Sequence, residues 1–457
     1  MERSILDYGH IHCIGIGGSG MSALAAILKE SGITVSGSDQ KSSETTKKLS
    51  VRGIHIVIGH ASDAIPSAAE LVVYSPAVPY DNVERAAARG RGLTELSYPE
   101  AVGSLTKIKK TIAVCGTHGK TTTTGMITAA FLGAGKDPTV IIGSPTSELE
   151  GRNERLGEGE ELILEACEYC RSFLSYRPHA IVITNIEIDH LDYYRDEEDY
   201  MRAFREFLKN IAPGGIIVGN MDDLKVEQLC NEAEKSDQKP KIIFFGKNRE
   251  ADYRLEKNRL TRHGEVISEF FLQIPGEHNI MNAAAAFAAA TECGLDSGRV
   301  EAAINNYGGA ERRFQIKGTV GKTIIIDDYG HHPTEIKATL AAARTRYGKE
   351  AKILCIFQPH QYSRTSKLLP RFSLAFSDAD EVIVPNIYQV RDTEEDVHSI
   401  TPEKLVDAIA KNHPATSYGD GMDKTFTYVR DHLKKFDVVI TMGAGDITTL
   451  ADRLLKE

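Results

Sequence analysis

Residues 111–124, TIAVCGTHGKTTTT, hold the densest chemistry in this chain. An apolar run from Thr111 to Cys115 leads into a tight turn bounded by Gly116 and Gly119. Lys120 and a row of threonines then open a helix. Backbone N–H groups of such a loop and of the helix N-terminus point at an anion, and the helix dipole favours it. Lys120 is placed to bridge the β- and γ-phosphates of a nucleotide as a point charge, and the Thr121 hydroxyl to coordinate Mg²⁺. The general pattern G-x-x-x-x-G-K-[ST] asks for glycine at 114, where Val114 stands. Gly116 fills that role two residues later, so the loop is shortened. A solvated lysine on an ordinary strand-to-helix turn is the bland alternative, and Gly-Lys-Thr directly after an apolar strand weighs against it.

A second glycine-rich turn lies at 10–39, HIHCIGIGGSGMSALAAILKESGITVSGSD. Gly15, Gly17 and Gly20 form G-x-G-x-x-G between a strand and a helix, and Asp39 closes the next strand, where dinucleotide folds keep a ribose-binding acid. The pattern predicts half of a Rossmann-type unit and does not say which nucleotide binds. Its plain alternative is a turn used only for close strand–helix packing.

Carboxylates gather at two further strand ends. Glu165 and Glu168 follow Leu162–Leu164, and Asn185, Glu187, Asp189 and His190 follow Ala180–Thr184. In a parallel sheet these ends converge on one crevice, as the phosphate loop does. Carboxylates beside phosphate oxygens suit Mg²⁺; histidine is an unusual ligand for it. Cys167 and Cys170 form C-x-x-C with no second pair to complete a zinc site, so coincidence outweighs a redox pair. DDYGHHPTEI (327–336) crowds acids, Tyr329, His331 and His332 at a strand-to-helix turn, and FQPHQYSRT (357–365) sets His360 and Arg364 after the next strand. With Arg312 and Arg313 these are cations placed for a carboxylate or phosphate.

The elements that must position these residues alternate strand and helix, which predicts an α/β chain with mostly parallel sheets. Further strands are expected at His55–Ile58, Leu71–Tyr74, Ile216–Val218, Lys241–Phe245, Thr323–Asp327, Ile353–Phe357, Glu381–Val384 and Val438–Thr441. Helices are expected at 196–211, 333–346, 366–376, 402–411 and 422–434, and an Ala-rich helix follows the turn at 276. Residues 250–274 alternate Val266, Ser268, Phe270 and Leu272, which suggests antiparallel strands. The 457 residues imply several domains, with boundaries placed to give 1–107, 108–310 and 311–457. A net charge of −10 without a basic block argues against nucleic acid, and no apolar run is long enough to cross a membrane. Seven scattered cysteines and no signal-peptide pattern read as a reduced, cytoplasmic protein.

Taken together these residues resemble the Mur ligase family over almost the whole chain. The carriers are GIGGSGMS (15–22), GSD (37–39), GTHGKTTT (116–123), EACE (165–168), TNIEIDH (184–190), GEHNIMNAAAA (276–286), RRF (312–314), DDYGHHPTEI (327–336), PHQYSRT (359–365) and GAGDI (443–447). The shortened phosphate loop is typical of the family. The resemblance implies a UDP-binding Rossmann-like domain, a central P-loop ATPase and a Rossmann-like C-terminal domain. It implies that Gly15, Gly17, Gly18, Ser19, Gly20, Ser38, Asp39 and Ser75 hold a UDP-sugar. Gly116, Thr117, His118, Gly119, Lys120, Thr121 and Thr122 would hold ATP phosphates, with His278, Asn279, Asn282 and Arg313 also at the nucleotide. Thr121 and Glu168 would bind one Mg²⁺ and His190 a second, with Mn²⁺ as an alternative. Arg313, Tyr329, His331 and Arg364 would face the amino acid, and Lys120, His190, His331 and Arg364 would serve catalysis. YCRSF, after Glu168, departs from the ESDxSF form of many members.

The implied activity is ATP-dependent joining of L-alanine to UDP-N-acetylmuramate by a monomer or homodimer that acts on small molecules. A sibling reading joins a whole tripeptide to the same sugar nucleotide. A P-loop ATPase switch and a dinucleotide-dependent oxidoreductase are the alternatives from other classes.

Overall fold

The computed structural model describes residues 3–457. Five parallel strands form the first sheet: β1 (His10–Ile14), β2 (Thr34–Asp39), β3 (His55–Ile58), β4 (Leu71–Tyr74) and β5 (Thr94–Ser97), in the order β3-β2-β1-β4-β5. The order reverses beside β1, and the Gly-rich turn leaves the C-terminal end of that strand, the switch point where α/β sheets take ligands.

The second sheet has ten strands: β6 (Lys110–Cys115), β7 (Thr139–Thr146), β8 (Arg152–Arg155), β9 (Glu161–Glu165), β10 (Ala180–Ile183), β11 (Ile216–Asn220), β12 (Lys241–Gly246), β13 (Tyr253–Glu256), β14 (Arg259–Arg262) and β15 (Glu265–Glu269). Their order is β15-β14-β13-β12-β11-β10-β6-β9-β7-β8. From β7 to β13 the pairing is parallel, so β6, β9 and β10 all end on the same edge. These central strands are Val/Ile/Leu-rich and buried on both faces, the pattern that a parallel sheet covered by helices demands.

The antiparallel strands expected at 250–274 are β13–β15, but the alternation is interrupted. A register shift sets Leu260 against Ser268 and Thr261 against Val266. The extra residue flips the strand, so Ser268 is buried while Val266 is 59% exposed.

The third sheet comprises β16 (Gln315–Val320), β17 (Thr323–Asp328), β18 (Ile353–Phe357), β19 (Glu381–Val384), β20 (Thr416–Tyr418) and β21 (Val438–Met442), in the order β16-β17-β21-β18-β19-β20. Only β16 is antiparallel. The helix expected at 366–376 is instead two short ones, Tyr362–Lys367 and Leu369–Phe372. Pro370 has no N–H to extend the first, and its ring suits the first turn of the second. The architecture is thus three α/β domains with mostly parallel sheets. None of the described helices is long and apolar enough to cross a membrane.

The chain divides into two compact units. One holds the chain up to Glu187 with Glu198–Phe271 and Asn282–Tyr307, and so contains the first two sheets. The other holds Ile188–Glu197, Leu272–Met281 and Gly308–Glu457.

Candidate active site

The phosphate loop bridges β6 and the helix Lys120–Gly133. Two glycines give it its shape. Gly116 has φ +125°, and a Cβ there would overlap the Thr184 hydroxyl; Gly119 has φ +81°, with Asn282 Oδ1 2.5 Å from where a Cβ would be. Neither position accepts a side chain without moving a neighbour. Asn185 holds the loop from β10's end: its side-chain oxygen accepts from His118 N–H at 2.9 Å and its amide donates to His118 O at 3.0 Å. The Thr117 hydroxyl donates to Glu187 O at 2.6 Å and accepts from Glu187 N–H at 2.9 Å.

Lys120 folds over this loop. Its Nζ donates to Gly116 O at 2.6 Å and Thr117 O at 3.0 Å, and lies 3.1 Å from Glu168 Oε2. Burial alone would lower its pKa; the Glu168 carboxylate, with Cys167 and Glu165 further off, overrides that and raises it. Lys120 is therefore a cation at any physiological pH. The Thr121 hydroxyl donates to Glu165 Oε1 at 3.1 Å, and Glu165 Oε2 accepts from Gly143 N–H at 2.7 Å. Two carboxylates thus flank the start of the helix, Glu168 on the lysine and Glu165 on the threonine.

Tyr200 was not foreseen from the sequence. Its hydroxyl lies 3.2 Å from Glu168 Oε1 and 3.0 Å from Thr117 Oγ1. The helix Glu197–Leu208 buries one face, and on it Tyr200 meets Phe204 edge-on at 5.2 Å while Phe207 stacks on Phe173 at 4.5 Å. This aromatic cluster aims Tyr200 at the carboxylate. Helical periodicity identifies Tyr200 as a core residue but does not reveal its distant partner.

The residues expected to hold a UDP-sugar lie together at the ends of β1, β2 and β4. Gly15 N–H donates to Ser38 O at 2.8 Å and Ser75 N–H to Ile14 O at 2.9 Å. Asp39 Oδ2 accepts from Gly17 N–H at 2.8 Å, so the acid at the end of β2 braces the turn itself. A Cβ on Gly20 would come within 2.6 Å of the Tyr98 ring. Ser19 Oγ donates to Gly143 O at 3.0 Å, next to Glu165's own contact. Beneath the turn, fully buried Glu84 accepts from the Ser38 hydroxyl at 2.7 Å and pairs with His12 at 3.0 Å and His60 at 2.7 Å. Tyr98 and the Glu84 group also went unnoticed in the sequence, where neither lies within a motif.

In the second unit, Arg364 is 4% exposed and donates through Nε and an Nη to Asp189 Oδ1 at 3.1 and 3.0 Å. Burial would raise the Asp189 carboxyl; His331 and Arg364 hold it well below the usual range. A guanidinium can only donate, so the 3.2 Å contact from Arg364 to His360 Nδ1 leaves that nitrogen unprotonated. Burial first, then His331 and Arg364, push the His360 pKa down to about 3. His331 Nδ1 faces Tyr329 O at 3.2 Å, and the Arg313 guanidinium sits 5.1 Å over the Tyr329 ring. Arg312 is structural: it binds Asp327 at 2.9 Å and the Gly443 and Gly445 carbonyls. His190, at φ +52°, and Asn279, whose amide donates to Pro275 O at 2.6 Å, belong to this unit, as does exposed His278.

The loop between Gly116 and Thr121 fits a nucleotide's phosphates: it runs into the N-terminus of the helix Lys120–Gly133, whose first backbone N–H groups have no partner within the helix, and it carries the Lys120 cation. The hydroxyl of Thr121 and the carboxylates of Glu165 and Glu168 form an all-oxygen donor set, the kind Mg²⁺ takes.

Comparison with known proteins gives the same picture at every scale. Residues 10–110 match the family model described as Mur ligase family, catalytic domain; 114–290 match the Mur ligase middle domain; 312–445 match the Mur ligase, glutamate ligase domain. The chain is 39% identical over 459 residues to a UDP-N-acetylmuramate–L-alanine ligase of Agathobacter rectalis, covering 98% of each. It superposes on the crystal structure of a UDP-N-acetylmuramate–alanine ligase from Thermotoga maritima with a TM-score of 0.79, 29% identity and 98% of both chains covered. A murein peptide ligase of Psychrobacter arcticus shares the fold at TM-score 0.72 and 23% identity, again over 98% of both. The chain belongs to the Mur ligase family.

Proposed function

We propose that this protein is an ATP-dependent ligase that joins L-alanine to the lactyl carboxylate of UDP-N-acetylmuramate, in the synthesis of peptidoglycan precursors in the cytoplasm. The observation that carries the reading is the shortened phosphate loop, with Lys120 clamped to Glu168, in a chain that matches alanine-adding ligases from end to end.

In this reading the domains divide near residues 108 and 311, and the first presents the sugar nucleotide on the turn Gly15–Gly20 with Ser38, Asp39 and Ser75. The lactyl carboxylate attacks the γ-phosphorus of ATP to give an acyl phosphate and ADP. The amine of L-alanine then adds to the acyl carbon, and phosphate leaves from the tetrahedral intermediate. Lys120 stabilises charge developing on the transferred phosphoryl group, and its raised pKa keeps it protonated throughout. Mg²⁺ held by Thr121 and Glu168, with a second ion at His190, would neutralise phosphate oxygens. Arg313, Tyr329 and His331 are assigned to the amino-acid side. Arg364 is assigned there too, acting through the Asp189 and His360 it holds. Positioning supplies most of the remaining acceleration.

The test is phosphate release from ATP and Mg²⁺ with each co-substrate omitted in turn. Release should require both UDP-N-acetylmuramate and L-alanine. Full-rate hydrolysis without L-alanine would overturn the ligase reading, and turnover with a tripeptide but not with alanine would reassign the protein to the recycling reaction.

A further inference from the structure

The pair Cys167 and Cys170 has no part in the chemistry above, yet it encloses one of its central residues. Glu168, the partner of Lys120, and Tyr169 are the only residues between the two thiols. Glu168 has helical angles, φ −76° and ψ −19°, and Tyr169 opens a short 3₁₀ element. Arg171 N–H donates to Glu168 O at 2.9 Å and Phe173 N–H to Cys167 O at 3.2 Å, so the chain that carries both cysteines folds back on itself in a tight turn. A disulfide needs Cα atoms about 4.4–6.8 Å apart, a span within reach of two cysteines three positions apart in a folded-back segment.

Access and surroundings single out this pair. Cys167 is exposed and Cys170 half-buried, whereas Cys13, Cys115, Cys230 and Cys355 are buried, and exposed Cys293 has no cysteine close to it in sequence. Cys167 also lies within electrostatic reach of Lys120 and Tyr98. The turn is braced on its far side. Cys170 and Arg171 both adopt left-handed backbone, φ +51° and +56°, and Arg171 is anchored to Asp199 at 2.8 Å and Glu206 at 3.1 Å. A bridge would close the remaining side of a turn already fixed at its end.

We propose that Cys167 and Cys170 form a reversible disulfide that shuts down the phosphate loop under oxidising conditions. The oxidant is a small-molecule disulfide. One cysteine sulfur attacks it, a bond forms between protein and oxidant, and one half leaves as a thiol. The second cysteine attacks the mixed disulfide, the Cys167–Cys170 bond forms, and the other half leaves. Two protein thiols are oxidised, the oxidant is reduced to two thiols, and the two protons pass to those products. The bridge stiffens the turn carrying Glu168 and holds its carboxylate on Lys120, so ATP phosphates no longer displace it. This consequence rests on the function proposed above; the disulfide itself does not.

The experiment treats the full-length protein with excess oxidised glutathione, then measures thiols in denaturant, maps peptides, and assays binding of a fluorescent ATP analogue and ligase turnover. The expected result is loss of two of the seven thiols, a peptide bridging 167 and 170, and at least tenfold weaker nucleotide binding and turnover, all restored by dithiothreitol. Cys167→Ser and Cys170→Ser should each keep the activity of the reduced protein and lose its sensitivity, while Cys293→Ser should remain sensitive. Seven thiols after treatment, or a bridged peptide with unchanged nucleotide binding, would overturn the proposal. A bridge that blocks nucleotide binding in a protein that does not ligate alanine would leave the switch standing and remove only the proposed function.

Discussion

The molecule carries two strand–glycine turn–helix units built to one plan and tuned to opposite charge. At Gly15–Gly20 the turn has no basic residue of its own, and a carboxylate, Asp39, takes up one of its backbone N–H groups. At Gly116–Thr121 the turn carries Lys120, and a carboxylate sits on the lysine instead of the backbone. Both turns use left-handed glycines, Gly15 in the first and Gly116 and Gly119 in the second, but they differ in what lies close by: Gly20 is against the Tyr98 ring, whereas Gly116 and Gly119 lie beside Thr184 and Asn282. Glycine patterns alone therefore report a close approach but not what approaches. In the proposed function, the charge placed over the turn is what separates a site for concentrated phosphate charge from one that also reads hydroxyl groups.

The strongest way to break this comparison is Lys120→Ala. Turnover should fall about 10²–10³-fold, the scale expected on removing one transition-state stabiliser, while calorimetry shows UDP-N-acetylmuramate affinity almost unchanged. Parallel losses of both would show that the two turns act as one site. The substitution also removes the Lys120 charge from beside buried Glu168, so a fall in melting temperature should accompany it.

A smaller effect divides the two acids. Glu168→Ala should lower kcat and raise the Mg²⁺ requirement more than Glu165→Ala, because Glu168 alone is paired with the lysine while Glu165 is satisfied by Thr121 and Gly143. Equal kcat losses with unchanged Mg²⁺ dependence would make them a structural pair.

The mildest change probes the other turn. Gly20→Ala forces a methyl against Tyr98 and should cost roughly 1–3 kcal/mol of stability by overpacking. It should also raise KM for the sugar nucleotide but not for ATP, and Tyr98→Ala in the same chain should relieve the stability loss. If KM for ATP rises equally, the turns are not independent.

Local pattern made both turns legible, since β1 and β6 are short apolar runs followed at once by glycine, and β9 and β10 end at 165 and 183, each one residue from the expected 164 and 184. Contacts set by distant chain were not legible. Tyr200 reads as one more apolar-face residue of its helix, and its contact with Glu168 joins residues 32 positions apart, beyond any local pattern. Asp189 stood among the candidate acids, but nothing near it in sequence points to Arg364. The misplaced helix at 366–376 has a local cause: Pro370 lies inside a pattern that otherwise continues. The flip at Val266 comes from a single extra residue, which periodicity cannot register.

The Asp189–Arg364 pair has a consequence for how the protein is made. The two residues are 175 positions apart, and the acid comes first. At about 5–20 residues per second, it leaves the ribosome roughly 10–35 s ahead of its guanidinium. Ile188–Glu197 belongs to the unit completed last, so during that interval this loop emerges without its final packing. The Asp189 carboxylate can stay in water until Arg364 arrives, and both charges then lose their hydration in one step, so that neither has to be buried alone.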